Sequence, residues 1–301
     1  ALEYGMPNML MNGGRVTNSG VEYTLNITPI RTKNWTWTLG LNSSKNWNEI
    51  KTVSADQKTV WDYLEGSTTK VLKEGYDLSS FWSFAFRRLN PSTGRPEFHY
   101  INQLDENGNI LKNERGESLL ADANEITDFL VYSGKSQPDF TGGITTRLRW
   151  KDLTFGANFA LLVGAKKRLH DPFPASYRLP SSDVNLNREL LDRWKKPGDD
   201  AFTNIPGVYT GQDDESVYIP DTYRTAINVT KMWAMSDIRV VNASFLRCQQ
   251  MSLTWNMNRK LCSQLGLKGL QLSATMNNVF VIASKKFHGF DPELGDSVQP
   301  K

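Results

Sequence analysis

Apolar and polar residues alternate with a period of two in three widely separated parts of the chain. From Val21, one set reads Val21, Tyr23, Leu25, Ile27 and the other Glu22, Thr24, Asn26, Thr28. Pro29 interrupts the pattern and a short turn follows. Trp35, Trp37, Leu39 and Leu41 then alternate with Thr36, Thr38, Gly40 and Asn42. In a second pair, Phe140, Ile144, Leu148 and Trp150 oppose Thr141, Thr145, Arg147 and Arg149. Beyond Lys151-Asp152, Leu153, Phe155, Ala157, Phe159 and Leu161 oppose Thr154, Gly156, Asn158 and Ala160. The third pair is rougher. Phe245, Met251, Leu253 and Trp255 share a parity with Arg247 and Gln249, whereas Leu270, Leu272, Ala274 and Met276 cleanly oppose Gln271, Ser273, Thr275 and Asn277. Successive side chains of a strand point to opposite faces, so three hairpins with one apolar and one polar face are predicted.

Two architectures use such strands. A soluble sandwich turns the apolar face inward against a second sheet. A transmembrane barrel turns it outward to lipid and lines its lumen with the polar face. The runs last about 9–13 residues, close to the ~9–11 that cross a bilayer at a tilt. The polar faces are built of Thr, Asn, Ser, Gly and Arg, and the aromatics Trp35, Trp150, Phe155 and Trp255 gather at the turn ends, where an interfacial girdle would lie. The connections at 29–34, 150–152 and 257–267 are short, while 48–138 and 164–236 are long. Outer-membrane barrels pair short periplasmic turns with long extracellular loops in this way. The pattern thus predicts an all-β chain, an incomplete portion of a large antiparallel transmembrane β-barrel with long extracellular loops. By parity, 48–138 lies outside or crosses the membrane an even number of times. Phe81-Trp82-Ser83-Phe84-Ala85-Phe86 would be half of such a pair or a strand rising above the membrane. Six strands fall short of the smallest common barrel, which has about eight, and the run 268–280 points outward, so at least one inward-going strand is missing. The alternative is a soluble β-sandwich that binds carbohydrate through its loop aromatics.

Composition narrows the chemistry. The chain has 301 residues, 39% hydrophobic and 22% charged, enough for a sizeable core. With 35 basic and 32 acidic side chains the net charge is +3, which makes no electrostatic case for a nucleic-acid partner. No apolar run approaches the ~18 residues of a membrane-spanning helix. The first residues, Ala1 to Met6, show neither the basic nor the apolar stretch of a signal peptide. Cys248 and Cys262 make no CxxC pair and are expected to be unpaired, a disulfide being the alternative in an oxidising compartment. His99, His170 and His288 stand apart, so neither a metal nor a histidine-based nucleophilic site is expected. Asp213-Asp214-Glu215 lacks the spacing of a calcium loop and reads as a solvated tip, and the neighbours Asp199 and Asp200 would point apart. No cofactor and no enzymatic activity are expected.

Several segments carry a more specific signal. Gly14-Arg15-Val16-Thr17-Asn18-Ser19-Gly20-Val21-Glu22 is followed by Trp35-Thr36-Trp37 and the Asn/Ser-rich stretch Leu41 to Asn46. Then come Gly75-Tyr76 through Phe81-Trp82, and Leu89-Asn90-Pro91-Ser92-Thr93-Gly94-Arg95-Pro96. Arg193-Trp194-Lys195-Lys196-Pro197-Gly198-Asp199, Ser236-Asp237-Ile238-Arg239-Val240-Val241, Asn277-Asn278-Val279-Phe280 and Gly289-Phe290-Asp291-Pro292-Glu293 complete the set. In this order and spacing they resemble the C-terminal part of the SusC/RagA-type TonB-dependent outer-membrane transporters of Bacteroidota. The resemblance implies that residues 1–301 are a C-terminal barrel segment, with the plug domain and the closing strand outside this chain. It also implies a place in the bacterial outer membrane and import of oligosaccharides or oligopeptides into the periplasm. The implied partners are a SusD-like surface lipoprotein acting as a lid, and TonB engaging a region absent from this chain.

Two groups are candidates for contact with substrate or partner. In the first, Trp194 would stack on a sugar ring or peptide group while Arg193 and Asp199 supply hydrogen bonds. The competing role, and the expected one, is a turn at Pro197-Gly198-Asp199 braced by an Arg193–Asp199 pair. In the second, Tyr76, Phe81 and Trp82 would offer aromatic surface to a substrate or lid, with ordinary packing as the default.

Overall fold

The computed structural model describes residues 14–53, 58–66, 72–107, 109, 111, 121, 125–173, 186–209, 216–219, 225–288 and 290–293. In chain order the strands are β1 (Gly14–Arg31), β2 (Trp35–Val53), β3 (Ser80–Ser83), β4 (Phe86–Leu89), β5 (Pro96–Phe98), β6 (Val131–Lys135) and β7 (Phe140–Trp150). They continue with β8 (Leu153–Val163), β9 (Lys166–Arg168), β10 (Ser216–Tyr218), β11 (Ala226–Asn228), β12 (Val240–Asn242), β13 (Phe245–Asn256) and β14 (Gln271–Ala283). Three short helices are α1 (Val60–Glu65), α2 (Val229–Ala234) and α3 (Arg259–Gln264). The chain divides into two compact units. A sheet unit comprises Asn18–Trp47, Gln137–Lys167 and Asn242–Lys301, and a loop unit holds Ala1–Thr17, Asn48–Ser136 and Arg168–Val241.

The sheet unit is built from the three predicted hairpins, joined in the order β1-β2-β7-β8-β13-β14. The registers β2–β7, β7–β8, β8–β13 and β13–β14 are all antiparallel. Pro29 does not end its strand as the pattern suggested, because β1 runs on to Arg31. The roughness of the third hairpin has a physical cause. The register slips between Cys248 and Gln250 against both neighbours, so Arg247 lies beside Ala160 while Gln250 lies beside Asn158 and Ser252 beside Gly156. The bulge at Gln249 therefore places Arg247, Gln250, Ser252 and Thr254 on one polar face. Met251, Leu253 and Trp255 fall on the opposite, apolar face, and the shared parity of Arg247 with Met251 is undone.

The registers also align the turn-end aromatics. Trp35 lies opposite Trp150, Trp150 opposite Leu153, Leu153 opposite Trp255 and Trp255 opposite Leu272, one row across the sheet. Trp35 and Trp150 stack with ring centroids 5.6 Å apart. Farther along the same face the Trp37 Nε1–H donates to Thr146 Oγ1 at 3.0 Å, so its one polar group is satisfied within the face. Large apolar side chains of this face remain open: Val21 is 58% exposed, Leu272 55% and Met276 62%. Among the described residues no second sheet covers them, as a sandwich would require. No helix is long and apolar enough to cross a membrane, which bears on helices only.

Large fully buried side chains belong instead to the loop unit, where Val60, Leu64, Trp82, Phe84, Phe129, Ile227, Met232 and Trp233 form one cluster. Thr59 caps α1, accepting from the Asp62 N–H while the Asp62 carboxylate accepts from the Thr59 N–H, a reciprocal box. The segment Phe81 to Phe86 is not a membrane-crossing pair: β3 joins β6 in a two-stranded sheet, with Trp82 opposite Tyr132. Among the described residues of 58–135, no strand joins the six-stranded sheet. Cys248 and Cys262 are both free and buried. The run 213–215 and Gly289 lie outside the described residues.

Leu39→Arg and Thr38→Arg, adjacent substitutions on opposite faces of β2, should behave very differently in the full-length protein. The first should cost about 2–4 kcal/mol at mid-depth and the second far less. Heat-modifiability on gels and the amount of assembled barrel read the difference, and equal tolerance would contradict the outward-facing apolar stripe.

Candidate functional site

The polar face of the sheet is a shallow depression of about 400 Å³, lined by Thr38, Thr145, Arg147, Thr154, Asn158 and Gln250 among others. Its hydroxyls and amides are linked side to side: the Asn158 Nδ2–H donates to Gln250 Oε1 at 3.3 Å, and the Gln250 Nε2–H to Asn277 Oδ1 at 3.4 Å. Arg149 donates to Thr36 Oγ1 at 3.1 Å. Glycines of this face leave room for their neighbours. A Cβ on Gly40 would meet Thr145 Oγ1 at 2.4 Å, and one on Gly143 would meet Asn42 Oδ1 at 2.6 Å. These side chains lie over the glycines and flatten the wall. Farther along, the Arg247 guanidinium binds both Asp291 oxygens at 2.6 and 2.7 Å and pairs with Glu293 at 2.6 Å. Lys167 adds a bond to the Pro292 carbonyl at 3.1 Å. The Asp291–Glu293 segment is thereby strapped down, and Phe245 and Arg247 are buried.

In the loop unit the second candidate group is split by strand alternation. Trp82 is almost fully buried, with the rings of Tyr63 and Tyr76 both 5.3 Å away and Tyr132 at 5.8 Å. Tyr76 is half-buried and Tyr132 is exposed, so the surface of this cluster is presented by the two tyrosines rather than by the tryptophan. Phe81 is also buried, on the other side of the strand, with the Arg168 guanidinium 5.5 Å from its ring centre. Tyr132 was open to discovery in the sequence through the alternation of Val131 to Lys135. Arg168 carried no local signal at all.

Arg168 is the polar centre of this unit. Its Nη1 donates to Ser83 Oγ at 3.1 Å and to the Ser236 carbonyl at 3.2 Å. Its Nη2 donates to the carbonyls of Leu64 and Trp82, both at 2.9 Å. Burial, and secondarily the nearby Arg239 charge, lowers its pKa to about 10, while Glu65 acts in the opposite sense. It still carries its proton at neutral pH. Arg239 binds Glu189 and the His170 carbonyl and stacks on Trp233, 4.6 Å from the ring centre.

The first candidate group is held differently from the expected brace. Arg193 Nη1 donates to the Leu190 carbonyl at 3.0 Å, and Asp199 Oδ2 accepts from the backbone of Lys195 and Lys196 at 3.0 and 3.1 Å. The turn is thus closed by Asp199 on backbone and not by an Arg193–Asp199 pair. Trp194 is half-buried, its Nε1–H without an acceptor among the described residues. Its ring lies on Gly94, where an added Cβ would stand 2.2 Å from it, and Gly94 has φ +68°. The Tyr209 hydroxyl donates to the Thr93 carbonyl at 2.9 Å on the same turn. Segments about a hundred positions apart therefore meet here. Elsewhere in the unit the backbone around Ser236 pairs with Phe84, whose N–H donates to the Met235 carbonyl at 3.2 Å and whose carbonyl accepts from the Asp237 N–H at 3.0 Å. Among the described residues no His, Cys, Asp or Glu cluster is arranged to hold a metal ion.

Comparison with known proteins agrees with this architecture. The chain is 26% identical over 303 residues to the TonB-dependent receptor SusC of Bacteroides thetaiotaomicron, covering 96% of this chain and 25% of the receptor. It is 21% identical over 295 residues to TonB-dependent receptor P3 of Formosa agariphila, with 96% and 26% covered. Among solved structures it is similar to the RagAB peptide transporter, with TM-score 0.65 at 22% identity, covering 98% of this chain and 29% of that one. The RagAB peptide importer in its open-open state superposes with TM-score 0.59. No family model matches. The chain thus spans about a quarter of the length of the relatives it matches. The fold is a stretch of the barrel wall of an outer-membrane protein, and the resemblance to the SusC/RagA-type TonB-dependent transporters is borne out.

The contact between Gly94 and Trp194 is testable against an internal control. Gly75 also has positive φ, at +80°, but an added Cβ there meets nothing. Gly75→Ala should cost only the backbone penalty of about 1–2 kcal/mol. Gly94→Ala should cost more and should expose the 193–209 segment to limited proteolysis, which Gly75→Ala should not.

Proposed function

We propose that this chain is a C-terminal part of the barrel of a TonB-dependent outer-membrane importer that moves oligosaccharides or oligopeptides into the periplasm. The observation that carries the reading is the division of the sheet: an uncovered apolar face with an aromatic row, and a polar face of hydroxyls, amides and Arg147 and Arg149. The similarity to receptors named TonB-dependent, and to a solved peptide transporter, supports import over the other uses of such a barrel. Transport of this kind needs no catalytic group in the wall. Energy would come from TonB acting on a plug that this chain does not supply.

We infer further that the loop unit meets a SusD-like surface lipoprotein. Phe202, 92% exposed, and Leu191, 62% exposed, stand on the two sides of the Arg193–Asp199 turn in sequence. Covering such side chains with a partner would remove apolar area from water. Tyr76 and Tyr132 would offer stacking faces to a sugar ring or a peptide group.

In cells carrying the full-length protein, accumulation of either fluorescent oligosaccharides or fluorescent oligopeptides should depend on its gene and stop when a protonophore collapses the proton gradient. Uptake of both pools unchanged by deletion would refute the importer reading. Phe202→Asp combined with Leu191→Asp should reduce co-purification of the lipoprotein several-fold while barrel assembly stays normal.

A further inference from the structure

Two of the three hairpin turns are minimal, residues 32–34 and 151–152. The third, 257–270, is longer and carries a helix of its own. Asn258 caps α3 by accepting from the Lys260 N–H at 2.9 Å, and the chain leaves it at Gly266, with the Leu267 N–H returning to the Cys262 carbonyl at 2.8 Å. The Met257 N–H donates to the Leu270 carbonyl at 2.8 Å and closes the base of the turn. Cys262 is buried and anchors the helix, its Sγ 3.6 Å from the Met257 carbonyl.

The rest of the helix is divided by chemistry. At about 100° per residue, Leu261 and Leu265 fall beside Cys262 on one arc, while Arg259, Lys260, Ser263 and Gln264 occupy the other. Leu261 is 48% exposed, Leu265 63% and Leu267 43%. These leucines stay exposed among the described residues, and the turn that carries them follows directly on β13, whose apolar face ends at Trp255 opposite Leu272. The turn holds three cations, Arg259, Lys260 and Lys268, and no carboxylate. None of the three forms an ion pair among the described residues. A short segment with leucines on one side, unpaired cations on the other, and an aromatic girdle directly adjoining it has the character of an interfacial helix.

We propose that the α3 turn is a membrane foot. Leu261, Leu265 and Leu267 enter the acyl boundary of the inner leaflet, and Arg259, Lys260 and Lys268 bind the phosphate groups of anionic phospholipid. Continuity with the lipid-facing row argues for lipid as the occupant. The uniform positive charge selects anionic headgroups. The inference rests on the barrel reading and is separable from it by experiment.

The full-length transporter is placed in nanodiscs of phosphatidylethanolamine and phosphatidylglycerol, with a nitroxide on a genetically encoded unnatural residue at position 261, 264, 265 or 276. Cys248 and Cys262 stay untouched. Collisions with oxygen should exceed those with a water-soluble nickel chelate at 261, 265 and 276, and the order should reverse at 264. In phosphatidylcholine discs the labels at 261 and 265 should become severalfold more accessible to nickel. The combined variant Arg259→Gln, Lys260→Gln, Lys268→Gln should abolish that dependence on lipid. Nickel access at 265 equal to that at 264, with 276 shielded, would overturn the foot alone; this includes the case of a turn reserved for a protein partner. Access at 276 as well would overturn the barrel reading beneath it. Identical depth in the two lipids would overturn the role given to the cations.

Discussion

In hydrocarbon every unpaired peptide N–H or C=O costs several kcal/mol, so a chain that crosses a bilayer as strands must keep an unbroken ladder between neighbours. That requirement fixes nearly everything about the sheet. It forces antiparallel strands joined by tight turns, makes each residue face either lipid or lumen, and leaves only two-residue periodicity as the way to write both environments into one strand. The bulge at Gln249 shows how firmly the constraint holds. One extra residue there would, without compensation, send Arg247 or the Met251–Trp255 set to the wrong side; the slip in register is shared with both neighbouring strands, so the ladder and the facing are kept together.

The same constraint explains what could be read from the chain. Val21 to Ile27, Trp35 to Leu41 and Phe140 to Leu161 declare their faces locally, because each residue's environment depends on its own parity. Where facing depends on a neighbour, the pattern misleads. Phe245 and Met251 share odd numbers but not a side, and β1 runs straight through Pro29. Neither fact is written in the segment concerned.

The loop unit was legible as motifs and not as structure. Gly94, Trp194, Phe84 and Ser236 stand out as separate marks along the chain, and nothing in their spacing says that the first two touch or that the last two lie in adjoining backbone. Irregular segments have no period to follow. Their packing is decided by which buried groups can satisfy one another, and Arg168, an unremarkable basic residue in sequence, is the group that does so for α1, β3 and the segment before β12. For Arg193 and Asp199 the reverse held: a pair plausible from sequence is replaced by three separate bonds to backbone, which satisfy each side chain closer to home.

Four acceptors sharing one guanidinium also have a mechanical meaning. The carbonyls of Leu64, Trp82 and Ser236 come from three stretches, two of them also joined at Phe84, and each carbonyl would be stranded if its stretch peeled off singly. The desolvated charge thus acts as a rivet: those stretches must move together, since none can leave without breaking its bond to Arg168.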